Sequence, residues 1–164
     1  MKVFEKIEQE ILENGLKIAS YDFNKPWGGF FVIEEAQSRK FAEIYFESLN
    51  FENLRLVGKL SPKILLVKPG ARLSWQYHFR RSEIWKVHVG PVGIIRSLDN
   101  NQGELVEAFA GQIVTLSKEE RHRLVGLTNW GVIAEFWQHT EASNPSNEED
   151  IVRVEDDYFR SDKK

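Results

Sequence analysis

Cysteine is absent from this chain, which removes disulfides, thiolate catalysis and cysteine-based zinc sites together. Its absence fits a reducing compartment, and a cytoplasmic location is the expectation. Long apolar runs are missing too, so no segment reads as a membrane span. The start, Met1-Lys2-Val3-Phe4-Glu5-Lys6-Ile7-Glu8, carries acids early and lacks the apolar core of a signal peptide. Excess positive charge is lacking as well. The net charge is −3, so nucleic acid is not an expected partner. An anionic small molecule would need a local cluster of Arg and Lys. There is no internal repeat and no low-complexity segment. What remains is a chain of 164 residues, 41% apolar and 29% charged, the balance of one ordinary globular domain that can bury a core without staples.

Two regions differ in pattern. Residues 3–19 read as a helix that Gly15 could interrupt or end, because Val3, Phe4, Ile7, Ile11 and Leu12 recur at three- and four-residue spacing. Residues 21–29 read as a loop punctuated by Lys25-Pro26-Trp27-Gly28-Gly29. Residues 30–34 read as a short strand, and 36–49 as a second helix with Phe41, Ile44, Tyr45 and Leu49 in a stripe. From about residue 56 short runs of Val, Ile, Leu, Phe and Trp alternate with turn residues. Such strands are expected at 63–67, 73–78, 83–89, 93–97, 105–109, 112–116, 122–126 and 132–139, the spacing of a sandwich or barrel. The expected division is a helical extension over 1–55 packed on the barrel, a barrel with its C-terminal segment over 56–160, and a frayed tail over 161–164.

The chemistry concentrates in Gln76-Tyr77-His78-Phe79-Arg80-Arg81-Ser82-Glu83, with His122 as a distant partner. Gln76 and His78 lie two apart, so on a strand they point to one face. Glu83 shares its face with the apolar Trp85, Val87 and Val89. A carboxylate there needs a partner, and a metal ion is the strongest available. Two imidazoles, a carboxylate and an amide oxygen suit a divalent cation with room for water or substrate. Taken singly, each of these residues is an ordinary strand residue; the combination favours ligation. Arg80, Arg81, Arg121 and Arg123 are the local cations, and one of them could clamp a phosphate. Arg81 shares the parity of Glu83. Trp27, Trp75, Trp85, Trp130 and Trp137 are expected as packing, and Lys86 and His88 on the outer face.

This pattern resembles the cupin superfamily, specifically the cupin domain of type II mannose-6-phosphate isomerases. The first motif runs Gly70, Gln76-Tyr77-His78, Glu83 and Gly90; the second starts at Gly111 and reaches Glu120-Arg121-His122-Arg123-Leu124. Lys25-Pro26-Trp27-Gly28 and residues 149–160 add matches. Departures are Phe79, Arg80 and Ile84 where His is usual, Ser117 and Glu119 in place of Pro and Gly, Lys25 for Arg, and Phe159 for Gly. The helical segment at 36–50 is expected to be an insert.

The resemblance implies a mainly β fold, a cupin jelly-roll barrel with an N-terminal helical extension. It implies metal ligands Gln76, His78, Glu83 and His122, holding one divalent ion, zinc first, with Mn, Fe, Co or Ni as alternatives. It implies a sugar-phosphate aldose–ketose isomerase, with Arg123 and Arg81 as catalytic residues and Lys25, Arg153 and Arg121 as substrate-binding ones. The catalytic base stays open. Alternatives are an isomerase or epimerase of another sugar phosphate, such as a heptose phosphate, a sugar-binding cupin without catalysis, and an iron dioxygenase. A sugar phosphate is the expected partner, and a homodimer is expected by analogy.

Overall fold

The computed structural model describes residues 2–158. Helix α1 (Lys2–Glu13) is followed by β1 (Ile18–Lys25) and β2 (Gly28–Ile33). After α2 (Ser38–Tyr45) come β3 (Lys63–Val67), β4 (Trp75–Tyr77), β5 (Arg81–Val89), β6 (Val92–Ser97), β7 (Val106–Ala108), β8 (Ile113–Leu116), β9 (Arg121–Val125), β10 (Gly131–His139) and β11 (Val152–Glu155). All pairings are antiparallel. One sheet has the order β1-β2-β3-β10-β5-β8, the other β11-β4-β9-β6-β7. This is a two-sheet architecture of the kind that the strand pattern predicts, and the jelly roll that the resemblance implies. No helix among the described residues is long and apolar enough to cross a membrane.

The larger sheet is covered on both faces, which explains the unbroken burial of Lys63–Val67. Ile64, Leu66, Ile84, Ala134 and Phe136 point outward and pack with Phe4, Ile7 and Ile11 of α1 and Phe41 and Tyr45 of α2. Leu65, Val67, Trp85, Val87 and Ile133 point inward and meet Val92, Ile94 and Leu124 of the smaller sheet. The two periodicities, 3.6 in α1 and 2 in the strands, therefore meet across one sheet.

Several expectations are corrected. Residues 16–19 are not helical: the helix ends at Glu13, at the break that Gly15 offers with its left-handed φ of 76°. Residues 21–25 are not a loop but part of β1, an edge strand whose mostly exposed side chains carry no apolar alternation. The extension thus supplies two strands to the barrel sheet as well as helices. Lys86 and His88 do face outward, but into the helical cover: His88 contacts the Glu10 carboxylate and meets the Tyr45 ring edge-on. Gly28 has φ 142°, and a Cβ there would lie 2.0 Å from the Leu66 carbonyl oxygen, so the turn of Pro26-Trp27-Gly28 requires glycine. The expectations for Phe159, Arg160 and the 161–164 tail lie outside the described residues.

Candidate metal centre

Three strands deliver the site. His78 follows directly on β4, Glu83 lies in β5 and His122 in β9. All three are buried, and one ligand atom from each lies within 4.8 Å of the others. Gln76 stands opposite His122 in the β4–β9 register, on the same face of the sheet. Its amide nitrogen is 3.4 Å from His78 Nε2, while its oxygen accepts from Ser74 Oγ at 2.5 Å. Turning that amide over presents the oxygen to the cluster instead.

Backbone carbonyls fix both imidazoles. His78 Nδ1 donates to the Asp150 carbonyl at 2.7 Å, and His122 Nδ1 donates to the Glu120 carbonyl at 3.1 Å. A carbonyl only accepts, so both protons sit on Nδ1 and both Nε2 atoms keep a lone pair. His122 Nε2 is buried with no hydrogen-bond partner. It lies 3.6 Å from Glu83 Oε1, and His78 Nε2 lies 3.3 Å from Glu83 Oε2. A buried acceptor with nothing to accept is costly unless a cation takes its lone pair. The donor set therefore fits a divalent metal: two neutral imidazole nitrogens and a carboxylate.

Burial pushes the His78 imidazole down to about 3 and His122 down as well, so both stay in the neutral, ligating form. Burial alone would raise the Glu83 carboxyl. The neighbouring Arg81, then His78 and His122, outweigh it and hold Glu83 ionised well below the usual range.

Arg81 does face inward. Its Nε donates to Glu83 Oε2 at 2.8 Å and another nitrogen to His78 Nε2 at 3.2 Å, while a third reaches Ser146 Oγ at 2.8 Å. Its guanidinium stacks on the Trp137 ring at 3.5 Å. Arg153 stands opposite Gln76 in the β11–β4 register, so Arg153, Gln76 and His122 form one row across the smaller sheet. Lys25 lies at the β1–β2 turn, 6.0 Å from the Phe30 ring centroid.

Arg121 and Arg123 do not join the cluster. Neighbours in a strand point to opposite faces, and His122 points in. Arg123 is fully buried on the far face, where it donates to the Leu73 carbonyl at 2.8 Å and the Glu155 carbonyl at 3.2 Å and ties the C-terminal strand down. Arg121 lies over the Tyr77 ring and donates to Asn100 Oδ1 at 2.9 Å. Arg72 pairs with Asp157 at 2.6 Å.

Glu135 escaped the sequence reading. It is buried in β10 and accepts from Trp85 Nε1 at 2.8 Å and Trp137 Nε1 at 3.0 Å. Trp85 Nε1 also reaches Glu83 Oε1 at 3.2 Å, so one indole spans the two carboxyl groups. Burial, then the Glu83 charge, push Glu135 up to about 8. The signal was available: Glu135 sits between Ile133 and Trp137 on an apolar face, as Glu83 does beside Trp85.

Residues 36–156 match the family model described as mannose-6-phosphate isomerase C-terminal. The chain is 30% identical over 126 residues to the alginate biosynthesis protein AlgA of Pseudomonas aeruginosa and 31% identical over 126 residues to that of Pseudomonas fluorescens. Each match covers 77% of this chain but 24% of AlgA, so the chain spans about a quarter of these relatives. The capsular polysaccharide assembling protein CapF of Staphylococcus aureus shares the fold, with TM-score 0.53 and 14% identity over 85% of this chain and 34% of CapF. Fold and site thus define a cupin with a candidate metal centre. The chain belongs to the mannose-6-phosphate isomerase C-terminal family. The match takes in α2, so the helix expected as an insert belongs to the matched region.

Proposed function

We propose that this protein is a metal-dependent aldose–ketose isomerase of a sugar phosphate, of the mannose-6-phosphate type. The observation that carries the reading is the buried His78–Glu83–His122 cluster, in which His122 Nε2 has no hydrogen-bond partner, in a chain of this family. Gln76, His78, Glu83 and His122 would hold the ion, with zinc the first choice for this mixed nitrogen and oxygen set. The ion supplies Lewis-acid stabilisation of the negative charge that develops on the sugar oxygens as a proton leaves the neighbouring carbon. Arg81 places a permanent positive charge beside the same centre, where little water screens it. Arg153, in one row with Gln76 and His122, and Lys25, at the β1–β2 turn, are the cations that would line the substrate's path. The tightly packed interior excludes water, which protects the carbanion-like stage.

The test is proton NMR of metal-loaded protein with mannose 6-phosphate and fructose 6-phosphate in heavy water. Interconversion, with deuterium appearing at the carbon beside the carbonyl, is expected. Unchanged spectra for a panel that also includes heptose phosphates, with metal bound, would sink the reading. One observation favours a second reading, sugar-phosphate binding without turnover: Arg81 donates to both Glu83 and His78, the groups that an ion would need. That reading predicts ligand-dependent thermal stabilisation and no deuterium exchange.

A further inference from the structure

Lys63 is a buried cation to which the proposed chemistry gives no task. It opens β3 opposite Glu135, and its side chain is turned into the barrel. Only 9% of that side chain is exposed. Its ammonium lies 5.0 Å from the Phe30 ring centroid and 4.7 Å from that of Trp137. Arg81 lies over the same Trp137 ring, and Lys25 near the same Phe30 ring. Cations and aromatic faces therefore alternate from Lys25 at the surface to Arg81, which touches Glu83 and His78.

A buried ammonium needs an anion beside it. Here that anion is Glu148, whose Oε1 is 2.9 Å from Lys63 Nζ. Glu148 belongs to the 140–151 segment between β10 and β11. Its side chain is 76% exposed, so the two partners are unequal. The carboxylate can return to water with little penalty, whereas Lys63 cannot leave. The same segment closes over the metal centre: Arg81 donates to Ser146 Oγ and to the Asn147 carbonyl at 3.1 Å. His78, Glu83 and His122 are themselves at most 3% exposed.

We propose that Lys63 is the anion subsite of this centre, that it takes the phosphate group of a phosphorylated sugar, and that Glu148 is a built-in carboxylate that the phosphate displaces. An ammonium is a compact point charge suited to a phosphate oxygen. The Phe30 and Trp137 rings supply the apolar faces against which sugar carbons pack. The substrate class rests on the sugar-phosphate reading above. The subsite itself is testable without turnover.

The experiment is calorimetric titration of metal-loaded full-length protein with inorganic phosphate, in wild type, Glu148→Gln, Lys63→Met and Lys63→Arg. Glu148→Gln should bind phosphate roughly fivefold more tightly, because the competing charge is gone. Lys63→Met should bind at least about tenfold more weakly, and Lys63→Arg should keep most of the affinity. Metal content and thermal unfolding establish that each variant retains the centre. Lys63→Met puts the fold at risk, so the exposed Glu148→Gln carries the test by itself. Equal phosphate affinity in wild type and Glu148→Gln overturns the proposal. If these affinity differences appear without isomerisation, the subsite stands and the isomerase reading falls. If sugar phosphates isomerise while phosphate affinity ignores Glu148 and Lys63, the reverse holds.

Discussion

Arg81 and Glu83 form a buried ion pair, Nε to Oε2 at 2.8 Å, on the same carboxylate that the metal would use. Arg81 therefore serves as a resident counter-charge when no ion is bound. Replacing it leaves Glu83 as an uncompensated buried anion. Arg81→Met should cost the metal-free protein about 3 kcal/mol. Added zinc should restore a larger share of stability in the variant than it adds to wild type. Thermal unfolding of both proteins, with and without zinc, measures this; equal zinc-induced shifts would contradict it.

Removing a ligand should remove the ion. Loss of an outer partner of a metal ligand already costs about 10- to 100-fold in affinity, so His122→Ala should lose more than about 100-fold. Among the described residues, the only hydrogen bond forfeited is that from Nδ1 to the Glu120 carbonyl, so the fold should survive. Metal content after equilibrium dialysis, together with circular dichroism, reads both effects.

Asp150 predicts an acid-sensitive segment. Burial would raise its carboxyl, but hydrogen bonds from Ser146 Oγ and from the Phe79 and Arg80 backbone N–H groups outweigh that and lower it. A carboxyl lowered in the fold stabilises fully above its unfolded pKa of about 4, and loses that contribution as pH falls through the folded value. The melting temperature of wild type should thus fall more steeply below about pH 4 than that of Asp150→Asn. Parallel curves would exclude Asp150 as a contributor.

Glu119 takes a left-handed φ of 66°, a conformation that suits glycine. The family pattern has Gly at this place, and the departure read from the sequence becomes strain in the fold. Glu119→Gly should stabilise the protein by about 1 kcal/mol, net of the glycine entropy, or roughly 2–4 °C in melting temperature. Denaturant unfolding decides the sign.

The strands of the barrel and the inward-facing His78 and Glu83 were legible because both depend on local parity. Short apolar runs between turns marked β3 through β10, and Glu83 declared itself as a charge among apolar neighbours. Position within those strands was less well used. Arg123 adjoins His122 and must face the other way, which sequence alone could say. Glu135 met the same criterion as Glu83 and was passed over because no motif pointed to it. β1 was hidden for a physical reason: an exposed edge strand has no core face to impose alternation. Lys63 and Glu148 are 85 residues apart, and only the folded chain brings a strand opening and a loop tip together.

The cover on the outer face of the larger sheet has a consequence for where this chain can be cut. Family similarity begins at residue 36, yet Phe4, Ile7, Ile11, Phe31 and Ile33 share one cluster with Ile64, Leu66 and Phe136. A fragment starting at residue 36 would retain every ligand of the centre. It would also lose β1 and β2, leaving β3 as a bare, hydrophobic sheet edge beside an uncovered apolar face. Such a fragment is expected to self-associate. The start of the family match and the start of the chain that covers this sheet are therefore different places.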